Sequence, residues 1–589
     1  MKKIVFAITL IAILVFVAAC AAPTTEPTKA PAPTNPPAAT SAPVSSSSSS
    51  VASSSSSVAP TKVPPSPTVP PAPTATAAPK RGGTFIDASF ADATSLQPLL
   101  TNDSASTSYQ SLIWASLTRL DPKTLDVTGV LYEDQPEFSA DGSTMTWKLR
   151  KGLKWSDGSP ITSKDVIFSW QKMMDDKVKF PYRQNYKDAF ADLTAPDDFT
   201  VVYKLAKPGY CPAKNQSGLL NGIIPQQVFG NLDININDVN NKPTVTSGYF
   251  KFKEWQKDDH FTASPAFDGF VRGQPLLDAW TVRILKDNTV QTQMFKAQEI
   301  DYASPDAPDW DEITKLPFAQ PANYYSAVGA PWDYIGFNTK KAPFDDKVVR
   351  QAISMALNKQ EMIDKIVLGH AKPLYSIFPS SSWAAADAKD LTQFNFDPAK
   401  AKKMLDDAGY KLGPDGIRLT KDGKPMKYRL FYNAGNKRRE SIAIISQQSL
   451  KDIGIQVEVL SEEFSAYLDR IQKTHDVEMY ILGWTGGSEP ATSKNIWSTT
   501  GGQNDSQYAN AEVDKLFDQA ASVPGCKQAD RKAIYVKIQQ IISDDQPYVF
   551  LFTRENLLVY NKRISILPMT GLGATYNVEQ LSVNPSVSK

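Results

Sequence analysis

Residues 139–170, SADGSTMTWKLRKGLKWSDGSPITSKDVIFSW, constrain the fold more than any other stretch of the chain. Asp141-Gly142 is a turn dipeptide, because glycine tolerates the positive φ of a tight turn. After it Met145, Trp147 and Leu149 alternate with Thr146, Lys148 and Arg150, the period of a strand with one buried face. Residues 156–160, SDGSP, turn the chain again. Thr162 with Asp165 has capping-box spacing and predicts a helix start. Val166, Ile167, Trp170 and Met173 or Met174 supply the apolar face of that helix. On physical grounds alone this is a strand–turn–helix unit and nothing more.

The first 80 residues obey other rules. Lys2 and Lys3 precede an apolar run over 4–17, and Val17-Ala18-Ala19-Cys20 closes it with small residues, the layout of an export signal over 1–20. An uncleaved membrane helix is the alternative, although the run is short for a hydrocarbon core of ~30 Å. An ordinary secretory peptide with a chance cysteine is another. The pattern resembles a bacterial lipobox, which implies cleavage before Cys20 and acylation of its thiol. Each buried methylene of such an anchor adds ~0.8 kcal/mol. Residues 21–80 are Pro, Thr, Ala and Ser, with serine runs at 45–50 and 53–57, and have almost nothing large and apolar to bury. They read as a disordered tether with a mean reach of roughly 40 Å.

With 63 basic and 62 acidic residues the chain lacks the charge excess that nucleic-acid binding requires. Its 589 residues allow three or four domains. The 11 tryptophans serve a core and also suit a binding cleft. Cys20, Cys211 and Cys526, and His260, His370 and His475, are too scattered for a zinc site, so neither metal nor cofactor is expected. Cys211 and Cys526 could pair in an oxidising compartment. No G-x-S-x-G, H-E-x-x-H or P-loop occurs, and Gly571-Leu572-Gly573 lacks the third glycine of a dinucleotide motif. No enzyme is expected.

Further on, 111–120 reads as helical after a polar start at Thr107-Ser108, and 200–210 and 249–255 read as strands. Acids at 345–346 open a helix whose apolar side is Ile353, Leu357 and Met362. Asp397-Pro398 caps another that stops at Gly409. A strand at 427–432, a helix at 439–453, a strand at 455–460 and a strand at 476–484 make an α/β pattern. Residues 513–542 read as helix and 548–552 as a buried strand.

The wording of 139–170, with "SLTRLDPKTLDV", the 243–250 loop PTVTSGYF, "YIGFNT" and "PFDDKVVRQAI", resembles the extracellular solute-binding proteins of family 5, the peptide-, nickel- and oligosaccharide-binding components of ABC importers. The resemblance runs from 82 to about 576. It implies an α/β, two-lobe periplasmic-binding-protein-like fold of type II, in its large three-domain form. Lobe I would comprise 81–127, 203–330 and 555–589, the additional domain 128–202, and lobe II 331–554. Cys211 and Cys526 would then lie in different lobes, where a bridge would impede hinge motion, so they are expected to stay apart.

The resemblance also implies cleft residues: Ser106, Tyr109, Gly248, Tyr249, Asn338, Asn433, Gly435, Trp484, Thr485, Glu489 and Trp497. Peptide binders of the family carry, three residues after the tryptophan, an Asp that grips the α-ammonium; here that position is Gly487. Glu489 is the candidate substitute, and a solvated loop acid is its other reading. Trp484 and Trp497 would stack on a sugar face or cover a peptide backbone. The implied function is a monomeric, lipid-anchored receptor on the outer face of the cytoplasmic membrane. It would close on a peptide and hand it to an ABC permease. An oligosaccharide comes second and a nickel complex third. From other classes, a cell-surface polysaccharide hydrolase would need two carboxylates facing each other ~5–10 Å apart, and a stalked adhesin is the remaining option.

Overall fold

The computed structural model describes residues 81–219, 222–266, 275–324, 330–565, 572 and 574–584. The segments expected to be signal and tether, with Cys20, and the Gly571 and Gly573 positions lie outside the described residues.

The 139–170 stretch folds largely as its pattern requires. Strand Thr144–Lys148 buries Met145 and Trp147. Helix Ser163–Met174 follows Thr162, whose backbone N–H donates to Asp165 Oδ2 at 2.9 Å. Its core face is Val166, Phe168, Trp170 and Met173, whereas Ile167 is only partly buried. The strand belongs to an antiparallel sheet ordered Glu137–Phe138, Thr144–Lys148, Thr200–Leu205, Phe190–Asp197. A second sheet is ordered Thr84–Ser89, Ala279–Ile284, His260–Pro265, Phe250–Gln256. Its first pair is parallel and the others antiparallel. Both sheets share one apolar core.

The third sheet has six strands, ordered Ala371–Pro373, Tyr548–Arg554, Pro331–Phe337, Met479–Thr485, Lys427–Asn433, Gln456–Glu462. Lys427–Asn433 and Gln456–Glu462 run parallel, joined through helix Lys437–Asp452, as the α/β pattern anticipates. The central strands Pro331–Phe337 and Tyr548–Arg554 are buried on both faces, Tyr334 and Tyr548 stacking at 3.9 Å on one side and Ile335 and Val549 packing on the other.

A small sheet lies where the chain passes between the sheet systems. Strands Ala319–Tyr324 and Asn556–Asn561 pair antiparallel in this sheet with Tyr302–Ala303. Past Tyr324 the chain continues into Pro331–Phe337, while Tyr548–Arg554 leads through Glu555 into Asn556–Asn561. The small sheet is tied to the second sheet by buried Asp301, which accepts from the Ile86 amide at 2.8 Å and pairs with Arg563.

Several elements depart from the sequence expectation. Helix Ser104–Ile113 begins at Asp103 and ends before 118–120, which is a strand, because Asp103 accepts from the Ser106 amide and so caps the helix early. The helix containing Ile353 stops at Ala356; Met362 belongs to a new helix, Lys359–Ile366, capped by Asn358. Residues 513–542 form two helices, Ala511–Ala520 and Gln528–Asp545, divided around Gly525, whose φ is +72°. Cys211 and Cys526, expected apart, are bonded, with Cα atoms 5.4 Å apart. The loop after Thr200–Leu205 lies against the end of helix Ala511–Ala520, the Cys211 amide donating to the Ala521 carbonyl at 2.8 Å. Separation along the chain said nothing of that docking.

Candidate functional site

A cleft of about 1050 Å³ opens among the sheet systems. One wall is helix Ser104–Ile113. Ser104, Thr107, Ser108 and Ser111 recur at the spacing that puts side chains on one helical face, and they line the cleft. Tyr109 and Leu112 point the other way, into the core. The opposite wall is the carboxyl end of strand Met479–Thr485 and the loop behind it, from Gly483 to Pro490. Ends of central strands are where open α/β sheets receive ligands, since the loops there are free of ladder constraints. Trp332 and Trp484 face each other across neighbouring strands. Tyr182 and Asn185, from the antiparallel-sheet region, line a third side. This side touches the strand-end loop: the Asn185 side-chain amide donates to the Thr492 carbonyl at 3.2 Å, and Lys494 pairs with Asp188 at 2.5 Å.

Most ionised side chains bordering the cleft already have work in the fold. Asp103 accepts from the Ser106 amide at 2.8 Å, the Ser106 hydroxyl at 2.7 Å and the Thr94 hydroxyl at 2.9 Å. Arg439 donates to Asn433 Oδ1 at 2.5 Å and lies 3.9 Å from Asp333. Burial by itself would raise the Asp333 pKa, but Arg438, Arg554 and Arg439 surround the carboxylate and hold it down at about 2. Arg438 also reaches Asp306 at 3.0 Å, joining the helix after Lys427–Asn433 to the segment before Ala307–Ile313. Behind the cleft, Asp505 is buried near Tyr334, Tyr480 and Tyr548, and desolvation raises its carboxyl to about 7.

Of the residues named from the resemblance, Trp484, Thr485, Glu489 and Trp497 line the cleft. Trp484 is half-buried and Thr485 exposed at the strand end. Trp497 shows little of its ring: it is 1% exposed, packed on Tyr548 and Phe550 with centroids 4.8 and 5.9 Å away. The Glu489 carboxylate is gripped by both terminal nitrogens of Arg531, at 2.5 and 3.1 Å, and accepts from the Ala491 amide. It therefore presents no free charge in place of the acid missing at Gly487.

The others do not border the cleft. Ser106 is turned back onto Asp103, and Tyr109 stacks on Phe261 at 5.0 Å. Gly248 donates to the Ile113 carbonyl, and a Cβ there would fall 2.4 Å from the Leu112 oxygen, so it is a packing glycine. Tyr249 packs against the first core. Asn338 donates to the His475 carbonyl at 3.0 Å, and Asn433 orients Arg439. Gly435, at φ +81°, accepts from the Asn288 amide, where a Cβ would meet the Lys286 oxygen at 1.9 Å. It marks close contact between loops of the second and third sheets.

Sequence reasoning missed the Ser/Thr face of helix Ser104–Ile113, although its spacing is a readable signal. It also missed Trp332, Tyr182, Asn185 and Arg119, for which no local pattern exists.

Comparison with known proteins agrees with this architecture. A model of bacterial extracellular solute-binding proteins, family 5 (middle region), matches residues 126–507. The oligopeptide-binding protein AppA of Bacillus subtilis is 30% identical over 511 residues, 85% of this chain and 92% of AppA. The structure of AppA with a nonapeptide matches with a TM-score of 0.81 at 29% identity, covering 86% of this chain and 100% of that one. DppA of Helicobacter pylori, solved with the peptide STSA, matches at 0.77 and 26% identity over 86% and 99% of the two chains. The fold is thus that of periplasmic binding proteins. The chain belongs to family 5 of the bacterial extracellular solute-binding proteins. Members of this class bind substrates rather than transform them, and work outside the cytoplasm.

Proposed function

We propose that the chain is a lipid-anchored receptor that captures di- and oligopeptides in the cleft by closing two lobes and delivers them to an ABC permease. The carrying observation is the pairing of a hydroxyl-faced helix, Ser104–Ile113, with a glycine-containing strand-end loop, 483–490, across about 1050 Å³. A wall of hydroxyls and backbone groups satisfies the donors and acceptors of a peptide main chain without fixing its side chains. The bound peptides named for AppA and DppA support the same ligand class. The lobes in this reading are 81–127 with 203–330 and 555–589, and 331–554, with 128–202 as the added domain; the hinge includes the 554–556 connection, and the Cys211–Cys526 bond, which joins the two lobes, limits how far they part. Acylated Cys20 and the 21–80 tether hold the receptor at the outer face of the membrane.

The sugar reading is weakened by Trp497, whose buried ring is no stacking platform, and the hydrolase reading by Glu489, which Arg531 occupies. The test is mass spectrometry of material released by mild denaturation from the purified protein. The expected result is a set of short peptides, with the radius of gyration falling when they are returned. A hexose ladder, or cleavage of added glycans, would overturn the peptide reading.

A further inference from the structure

Arg119 is the exception among the charged groups of the cleft. Among the described residues, the cationic side chains that line it are Arg119 and Arg439, and the anionic ones Asp103 and Glu489. Glu489 is neutralised by Arg531, Arg439 is engaged by Asn433 beside Asp333, and Asp103 accepts three hydrogen bonds. Arg119 has no carboxylate partner among the described residues, and its Nε is buried with no acceptor. Its guanidinium lies over the Tyr576 ring at 4.6 Å. Its backbone is held in strand Thr118–Leu120, paired with Val127–Gly129.

These facts combine into a shape with a purpose. A cation over an aromatic face is oriented and partly desolvated, yet the ring offers no in-plane acceptor for the guanidinium N–H groups. A buried donor left unmatched is costly, and the natural complement of a planar guanidinium fork is a carboxylate. We infer that Arg119 is the ligand anchor of this cleft, binding a carboxylate of the captured peptide. The inference rests on the peptide reading and adds its polarity: the receptor fixes its ligand by an anionic group, while neither Gly487 nor Glu489 offers a free charge to an α-ammonium. The carboxylate is either the peptide's C-terminus or an Asp or Glu side chain.

The test uses randomised tetrapeptide and nonapeptide pools, each as free acids and as C-terminal amides. They are offered to the wild-type protein, Arg119→Lys and Arg119→Met, and retained peptides are identified by mass spectrometry and their affinities measured by calorimetry. Wild type is expected to retain acids over amides by about tenfold or more, the scale of a charge-assisted hydrogen bond. Arg119→Met should abolish the preference, and Arg119→Lys, which keeps the charge but loses the fork, should retain part of it. Amides retained only when rich in Asp or Glu, with that enrichment lost in Arg119→Met, would place a side-chain carboxylate on Arg119 and equally support the anchor. An acid preference unchanged in Arg119→Met, or wild type retaining peptides with no preference for carboxylates, overturns the anchor and leaves the peptide reading standing. Retention of no peptide from any pool overturns both. Thermal unfolding of the ligand-free variants monitors folding, and Arg119→Lys carries the comparison if Arg119→Met does not fold.

Discussion

Trp497 borders the cleft but is buried against Tyr548 and Phe550, whereas Trp484 is half-buried at the strand end. Truncation therefore acts on different quantities. Trp497→Ala empties a packed core position and should cost about 3–5 kcal/mol of stability. Trp484→Ala removes cleft wall and should weaken peptide binding about tenfold with a smaller loss of stability. Denaturant unfolding beside calorimetry separates the two, and equal affinity in Trp484→Ala would remove it from the site. Asp505 gives a pH signature at the same scale. Desolvation raises its pKa from 3.8 to about 7, so the folded state favours the protonated form. Its contribution is fully present below pH 4 and is lost as pH rises through 7, the cost above that being at most about 4 kcal/mol. Asp505→Asn should accordingly stabilise the protein more at pH 8 than at pH 5, read as unfolding temperature. A gain independent of pH would contradict this account.

Short elements around the cleft are held by ion pairs between them. Glu489 caps the turn Pro490–Ser493 and binds Arg531 on helix Gln528–Asp545, so one carboxylate fastens the strand-end loop to a long helix. Both side chains are nearly buried, at 11% and 5% exposure, so removing one partner strands the other charge. Glu489→Gln should destabilise by about 3–5 kcal/mol in chemical unfolding while leaving the acid-over-amide preference intact in whatever remains folded. Loss of that preference would give Glu489 a direct role in the ligand's polarity.

Across the whole molecule, the Cys211–Cys526 bond closes a loop spanning 315 positions and joins the region after Thr200–Leu205 to the helices after the strand-end loop. Native disulfides contribute about 2–4 kcal/mol, chiefly by limiting the unfolded chain, so Cys211→Ser with Cys526→Ser should lower the unfolding temperature by about 2–8 °C. Because the bond joins the two lobes of the proposed receptor, the double variant should also release peptide faster in stopped-flow displacement. An unchanged release rate would restrict the bond to stability.

Local pattern and wording carried much of this protein. The alternation at Met145 and Trp147, the Thr162–Asp165 helix start, and the strand–helix–strand run from 427 to 462 needed no partner to be read, because period and capping are properties of neighbours in sequence. The order of motifs was enough for the family. What neighbours cannot encode is which side chain meets which across hundreds of positions. Only the tertiary structure joined Cys211 to Cys526, gave Glu489 to Arg531, buried Trp497 and left Arg119 without an acid among the described residues. Each of these is settled by docking between elements, where desolvation and packing depend on groups brought together from distant parts of the chain.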